Sequence, residues 1–381
     1  MKAVGVVAEY NPFHNGHHYH INRAKEISRA DIVVTVMSGN FTQRGEPTIL
    51  DKWHRAQEAL ANGVDLVVEL PLAFSVQPAH LFASGAITMM TELGIQSMVF
   101  GAEHAEWDFD KLVRAESKFK SNQFDRYNAT YATVFNEQLQ EVTGVQLTEP
   151  NDILAFGYFK ARYEQAAPLD LIPIRRLGTH YHDLQINEQR QIASASAIRE
   201  SVKDRRNDYQ TVVPQRTIND LAELNGVADW NELYPYLRYQ LIQAPIKTLG
   251  TIYQMAEGLE FRMKAVAETA DNFDEFIHEV KTKRYTYSRL IRVCLYVLLQ
   301  ITDAEMKAHF ESPYIRILGF NRHGQTYLHE IKKQATVPIV ARMNRELKNG
   351  LANLDYRAGK MYEQLNRTEL QDMRRQPIIQ D

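Results

Sequence analysis

The chain has 381 residues, of which 44% are hydrophobic and 24% charged, with a formal net charge of −3 and a pI near 6.5. This composition fits a globular protein long enough for two domains, and the charge balance excludes a protein held to nucleic acid by bulk positive charge. No apolar run approaches the ~20 residues that span a bilayer, and one cysteine, Cys294, excludes an internal disulfide and a cysteine-rich zinc site.

The first residues, Met1-Lys2-Ala3-Val4-Gly5-Val6-Val7, pass straight into a strand pattern, so a signal peptide is not expected and a cytoplasmic setting is. Ala3 to Ala8 is an apolar run suited to a buried parallel strand. A helix is expected from about His17 to Ser28, with Ile21, Ala24 and Ile27 toward the sheet. Ile32 to Met37 is a second strand, rich in β-branched residues. Asp51 to Asn62 reads as a helix with Asp51 as N-cap and Gly63 past its end. Val64 to Leu70 is a third strand, Pro78 to Leu93 a helix stopped by Gly94, and Ser97 to Phe100 a fourth strand running into Gly101-Ala102-Glu103. Asp170 to Arg176 is a fifth strand. Such alternation predicts an α/β fold with a doubly wound parallel sheet.

Beyond about residue 205 helical spacing dominates. Helices are expected at Ile218–Leu224, Lys247–Leu259, Asp274–Lys283, Ser288–Gln300 and Tyr327–Lys333, with Asp204–Asp208 as a linker and Arg374–Asp381 frayed. The expected division is 1–205, an α/β nucleotide-binding domain, and 206–381, a mainly helical domain.

The first strand-to-helix turn, Glu9-Tyr10-Asn11-Pro12-Phe13-His14-Asn15-Gly16-His17-His18, carries the strongest chemical signal. In a doubly wound sheet this turn lies beyond the strand ends, where ligands bind. Gly16 permits close approach, the helix N-terminus favours an anion, and His14 and His17 can donate to phosphate oxygens. The group His14, His17, His18 and His20 could instead hold a metal or form a polar helix face, but nothing nearby except Glu9 supplies a second ligand type. No protein-held metal is expected. The second signal is Ser194-Ala195-Ser196-Ala197-Ile198-Arg199. Its hydroxyls can cap a helix, and Arg199 can clamp phosphate from the same surface.

Together, His14-Asn15-Gly16-His17 and Ser194 to Arg199 resemble the HIGH-type nucleotidyltransferase superfamily, whose fold is of the HUP or Rossmann-like type. Ser196 stands where that superfamily commonly has Thr. With Met37-Ser38-Gly39-Asn40-Phe41-Thr42-Gln43-Arg44-Gly45-Glu46-Pro47, the Phe100-Gly101-Ala102-Glu103 turn and Arg284-Tyr285-Thr286-Tyr287-Ser288-Arg289-Leu290, nearly the whole chain resembles the bacterial tRNA(Met) cytidine acetate ligase family.

The resemblance implies that acetate is activated by ATP as acetyl-adenylate and passed to N4 of the wobble cytidine of elongator tRNA(Met), without acetyl-CoA. It implies an ATP segment of Val7, Ala8, Glu9, Tyr10, Asn11, Pro12, Phe13, His14, Asn15, Gly16, His17, His18, Tyr19 and His20, with Gly101, Asn151 and Arg176 also at the nucleotide. His14, His17, Ser194, Ser196 and Arg199 would carry the catalysis. Either Arg175 or Arg176 can face inward, because neighbours on a strand point opposite ways. Mg²⁺ is expected with the ATP phosphates.

Lys281, Lys283, Arg284, Arg289 and Arg292 interleave with Tyr285 and Tyr287 without an acidic residue. Beside such a catalytic domain this reads as a tRNA contact through Lys283, Arg284, Tyr287, Arg289 and Arg292. Lys332, Lys333, Arg342, Arg345 and Lys348 form a second basic cluster. Gln43, Arg44 and Glu46 lie in a loop facing the ligand, with phosphate clamping and a surface role both open for Arg44. Asp51, Lys52, Arg55 and Lys25 read as solvated charges. His180 and His182 are candidate loop histidines near the site. Two other functions use the same residues: a small-molecule adenylyltransferase, which needs no basic second half, and a non-catalytic RNA-binding protein, which needs no ATP turnover.

Overall fold

The computed structural model describes residues 1–119, 131–176, 186, 192–224, 226–365 and 369–381. His180 and His182 lie outside the described residues. The strands are β1 (Ala3–Ala8), β2 (Ile32–Ser38), β3 (Leu66–Leu70), β4 (Ser97–Ala102), β5 (Asp170–Arg175), β6 (Ile315–Asn321), β7 (Ile339–Val340) and β8 (Ile378–Gln380). The helices that position the site are α1 (Asn15–Ser28), α2 (Lys52–Ala61), α3 (Ala79–Glu92), α4 (Pro150–Glu164), α5 (Ala195–Lys203), α6 (Trp230–Gln243), α7 (Tyr287–Leu298) and α8 (Asn353–Tyr362).

The sheet order is β5-β4-β1-β2-β3-β6-β7, with β8 also pairing β6. Strands β1 to β5 are mutually parallel, so the doubly wound sheet expected from strand–helix alternation is present. Side chains alternate across it. Ile32, Val34 and Val36 of β2 face a core shared with α3 and α4, while Val33 and Met37 face a core shared with α1 and α2. Both faces are covered, which is why β2 reads as an unbroken apolar run.

The sheet also takes strands from the second half of the chain. β6 pairs antiparallel with β3, placing Leu66 opposite Phe320 and Val67 opposite Gly319. β8 pairs β6 through Gly319–Ile378 and Asn321–Gln380, so the residues expected to fray end in a strand. A Cβ at Gly319 would come within 2.7 Å of Leu60 Cδ1 and 3.0 Å of Ile378 Cβ, so a glycine is what lets these layers close.

Position 205 is crossed by packing as well. Ile49, Leu50, Ala193 and Ile198 share one small core with Tyr209, Val212, Val213 and Leu221. The stretch expected as a linker is tied by Arg206 N–H donating to the Ser201 carbonyl (2.8 Å) and by a Ser201–Asp208 side-chain hydrogen bond. The helix expected over Lys247–Leu259 is two pieces, Ile246–Leu249 and Leu259–Thr269. Between them Gln254, Glu257 and Gly258 take left-handed backbone at φ 61°, 58° and 80°, which ends helical repetition.

The helical half has its own core, centred on α6 and α7 and including Trp230, Leu237, Leu290 and Cys294. Phe41, from the loop after β2, inserts into it and meets Tyr362 of α8 edge-on at 6.2 Å.

Candidate active site

The end of β1 opens the site. Tyr10 has φ 47° and the Asn11–Pro12 bond is cis, turning the chain sharply before α1. Tyr10 and Phe13 are buried in the α1–α2 core, where Tyr10 Oη meets Thr35 Oγ1 at 3.1 Å. Both rings back the edge of His17, at 4.9 and 5.5 Å between centroids. They therefore support the site from behind. His18 and Tyr19 are exposed on the outer face of α1.

His14 and His17 stack at 3.7 Å with 19° between planes. His17 Nδ1 accepts from the His14 main-chain N–H (3.2 Å), which leaves the proton of a neutral ring on Nε2. His20 Nε2 donates to the Val99 carbonyl of β4 (3.0 Å). Burial, then the charges of Arg176 and Arg199, pushes His14 down to about 3. Burial holds His17 well below the ordinary histidine range, helped by His14, His20 and Arg176, and brings His20 to about 4. The three rings are neutral at pH 7, so His17 can offer an N–H donor without carrying charge.

Gly16 also makes room for a ring of its own turn. A Cβ there would sit 2.9 Å from His14 Cε1 and 3.0 Å from His14 Nδ1, so the stacked imidazole occupies that space. The helix start is also less open than expected. Asn15 N–H donates to the Val212 carbonyl (2.9 Å), and Asn15 Nδ2 to the Thr211 carbonyl (3.4 Å).

Positive charge comes from two arginines. Arg199 donates through one terminal nitrogen to the Asn11 carbonyl (2.7 Å) and through the other to Ser196 Oγ (3.1 Å). Ser194 caps α5 by accepting from Ala197 N–H at 3.1 Å. The hydroxyl pair thus divides: Ser194 fixes the helix start and Ser196 orients Arg199. Arg176 N–H donates to the Ala102 carbonyl, and its Cγ lies 2.9 Å from where a Gly101 Cβ would be. The imidazoles feel Arg176, so of the two neighbours it is Arg176 that faces this end of β1.

Asn151 opens α4 and donates to Glu103 Oε1 at 2.5 Å. Asp152 beside it, which sequence reasoning passed over, organises the turn after β4. Its carboxylate accepts from the N–H groups of Glu103 and His104 (3.0 Å each) and from His104 Nδ1 (2.6 Å). The hydrogen bond to Asp152 raises His104, whose ring stacks on Trp107 at 4.2 Å.

Three residues expected to be solvated charges are buried. Arg55 is fully covered and donates to the carbonyls of Glu9 (2.5 Å), Ser38 (3.1 Å), Leu50 (2.9 Å) and Gly39, tying the ends of β1 and β2 together. Lys52 Nζ lies 2.9 Å from Glu69 and 2.9 Å from Asp372. Asp51 caps α2 and accepts from Gln371 Nε2 (3.0 Å). One helical turn at the site edge therefore fastens a segment some 320 residues further on. Polarity alone could not reveal this, because the partners lie far apart in sequence. Lys25 is exposed as expected.

The basic stretch before and within α7 also divides. Lys283, Arg284 and Tyr287 are exposed, Tyr287 by 48%. Arg289 is half-buried, stacked over Tyr285 at 4.8 Å and donating to the Gln254 carbonyl at 3.4 Å. Arg292 is buried, which corrects its expected place on an RNA-facing surface. It sits one helical turn past Arg289, on the face that packs inward. In the second cluster Lys332, Lys333, Arg342 and Arg345 are exposed, and Lys348 lies over the Tyr356 ring at 5.2 Å.

Among the described residues no group of three or more His, Cys, Asp or Glu side chains could hold a metal ion, and no helix is long and apolar enough to cross a membrane.

The whole chain resembles known proteins in sequence and fold. The HIGH Nucleotidyl Transferase family model matches residues 1–376. The tRNA(Met) cytidine acetate ligase of Limosilactobacillus reuteri (strain DSM 20016) is 55% identical over 379 residues, covering 100% of each chain. The one from Lactiplantibacillus plantarum is 47% identical over 380 residues, covering 99% of this chain and 98% of its own. The crystal structure of apo Thermotoga maritima TmcAL (form I) matches with a TM-score of 0.91 at 29% identity, covering 100% of this chain and 99% of its own. The same protein bound with alpha-thio ATP matches at 0.89 and 28% identity, with the same coverage. This chain belongs to the HIGH nucleotidyltransferases and, within them, to the tRNA(Met) cytidine acetate ligase family.

Proposed function

We propose that this protein is an ATP-dependent ligase that joins acetate to N4 of the wobble cytidine in elongator tRNA(Met). The carrying observation is the joining of the Asn11 turn to Arg199, beside neutral His14 and His17, in a chain that matches the acetate ligases end to end. Acetate oxygen attacks the α-phosphorus of ATP. The bond to the β-phosphate bridge breaks and pyrophosphate leaves, giving acetyl-adenylate. Arg199 and Arg176 would balance the charge on the phosphates, and His17 Nε2–H would donate to it as it builds. Such catalysis is mainly positioning, which the buried Arg55 clasp and the Ser196 contact support.

Within the Val7–His20 segment, Glu9, His14 and His17 would face ATP, with Asn11 holding Arg199 through its carbonyl and Gly101 and Asn151 on the β4 side. Mg²⁺ would arrive on the ATP phosphates, since it keeps most of its water and needs few protein ligands. The acetyl donor is the adenylate, with no role for acetyl-CoA. The acceptor tRNA would lie against the helical half through Lys283, Arg284 and Tyr287, and the working compartment would be the cytoplasm.

The test is acetate-dependent ATP–pyrophosphate exchange by the purified protein, followed by transfer of labelled acetate to tRNA(Met). Exchange that requires acetate is the expected result. Exchange with a different carboxylate, or with a coenzyme precursor, would move the protein to another nucleotidyltransferase reaction. No exchange with any substrate would leave an RNA-binding role.

A further inference from the structure

Acyl transfer to an exocyclic amine releases a proton, and the groups described so far do not take it. His14, His17 and His20 are held neutral beside two arginines, which makes them poor acceptors. An acidic side chain lies in the loop that joins the nucleotide side to the helical half. This is Glu46, in the loop that leaves the carboxyl end of β2.

That loop is fixed from several directions. Gln43 N–H donates to Glu9 Oε1 (2.8 Å). Thr42 N–H donates to the Glu46 carbonyl (2.9 Å), and Glu46 N–H to Thr42 Oγ1 (3.2 Å). Phe41 pairs with Pro47 and also anchors in the helical core. Trp230 Nε1 donates to the Gly45 carbonyl at 3.1 Å. Gly45, at φ 85°, lies so close to α7 that a Cβ there would be 3.1 Å from Arg292 Cα. The backbone of Glu46 is therefore held in place in the seam, and its side chain is half-buried.

Charged groups face it from each packed element. Burial raises the carboxyl to about 7, Arg199 of α5 and Arg44 of its own loop oppose that, and Asp229 before α6 and Asp274 add to it. Tyr287 and Cys294 of α7 in turn feel its charge. Arg199 thus acts on both His14 and Glu46, and the exposed Tyr287, at the start of α7, feels the Glu46 charge in turn.

We propose that the Glu46 carboxylate is the general base that accepts the N4 proton of the acceptor cytidine during acetyl transfer, an assignment that rests on the acetate-ligase reading above. The N4 lone pair attacks the acetyl carbonyl carbon and a C–N bond forms. The acyl C–O bond to the adenylate phosphate then breaks, and AMP leaves with that electron pair. The surplus proton on nitrogen passes to Glu46 and from there to water. No electron carrier is involved. A cytidine amine is a weak nucleophile because its lone pair is shared with the ring, so removing its proton as the bond forms matters. A carboxyl poised near the working pH suits that task better than a fully solvated one. Its place also suits both partners: its loop is bonded to Glu9 at the end of β1 and packed on α7, where Tyr287 is available to stack on an unpaired base.

The test separates the two half-reactions in the full-length protein. Wild type should show acetate-dependent exchange; if it does not, the acetate reading falls and takes this assignment with it. Glu46→Gln should keep that exchange and tRNA binding, yet slow single-turnover transfer from preformed acetyl-adenylate by ~100-fold or more, the lower end of general-base effects. Wild-type transfer should rise with pH through an acid limb near 7 that Glu46→Gln lacks. Glu46→Asp, which keeps the carboxylate but withdraws it, should be slower than wild type and retain the limb. Unchanged transfer in Glu46→Gln, or an acid limb that persists in it, would overturn the assignment. Equal loss of exchange and transfer would make Glu46 a positioning residue for Arg199 instead.

Discussion

Arg199 donates to the main-chain carbonyl of Asn11 at 2.7 Å, joining two turns 188 residues apart in the chain. The same guanidinium takes Ser196 Oγ with its other terminal nitrogen. Its charge also reaches His14. One side chain therefore links the histidine turn to the hydroxyl-capped helix.

Arg199→Ala should lower acetate-dependent exchange by ~100-fold or more, the scale for loss of one preorganised donor. Arg199→Lys should recover little, because a point charge cannot hold the Asn11 carbonyl and Ser196 together. Full recovery by lysine, measured as kcat/KM for ATP, would reduce Arg199 to a source of charge.

His14 has a folded pKa near 3, below its ordinary value of 6.5, so the unfolded chain binds a proton there that the folded chain does not. Its contribution to stability is complete above pH 6.5 and is lost as pH falls toward 3. The melting temperature of wild type should therefore drop between pH 7 and 5, and His14→Gln should drop less steeply. Identical slopes would show that His14 titrates freely in the folded protein.

Lys52 is buried between Glu69 and Asp372, and Arg316 approaches Asp372 at 3.5 Å. Lys52→Met should destabilise the protein by roughly 3–5 kcal/mol, because it leaves the buried Glu69 carboxylate without its direct cation and Asp372 with Arg316 alone. Urea unfolding would measure this. Adding Glu69→Gln to Lys52→Met should recover part of the loss, whereas simple additivity of the two changes would place the cost in packing and not in charge.

Gly45 adopts φ 85° against the backbone of α7. Gly45→Ala should cost on the order of 1–3 kcal/mol from the left-handed backbone alone. Because the loop seats Phe41 in the helical core, limited proteolysis should then cut near residue 45. A fully resistant variant would mean that the seam tolerates the added methyl.

Arg284→Ala and Tyr287→Ala should weaken tRNA binding while leaving exchange intact, and binding by wild type should fall steeply with salt. Arg292→Ala should instead lower stability, since Arg292 is buried. Filter binding with melting curves distinguishes the two sets. A tRNA affinity unchanged in both exposed variants would place the docking face elsewhere.

Local pattern by itself determined the strands β1 to β5 and the helices α1, α2 and α3, because apolar runs and end-caps within a few residues decide those elements, whereas α4 and the other helices between β4 and β5 were not legible in it. It also determined the two motifs, since the residue types needed for phosphate chemistry stand close together in each. Tertiary structure decided what local pattern could not. β6 and β8 join the sheet only because β3 offers an open edge to a segment some 250 residues away. Asp51, Lys52 and Arg55 look solvated until strand-end carbonyls and the distant pair Gln371 and Asp372 are folded against them. Charge in sequence reports the cost of burial, whereas only the folded chain brings the partners that offset it.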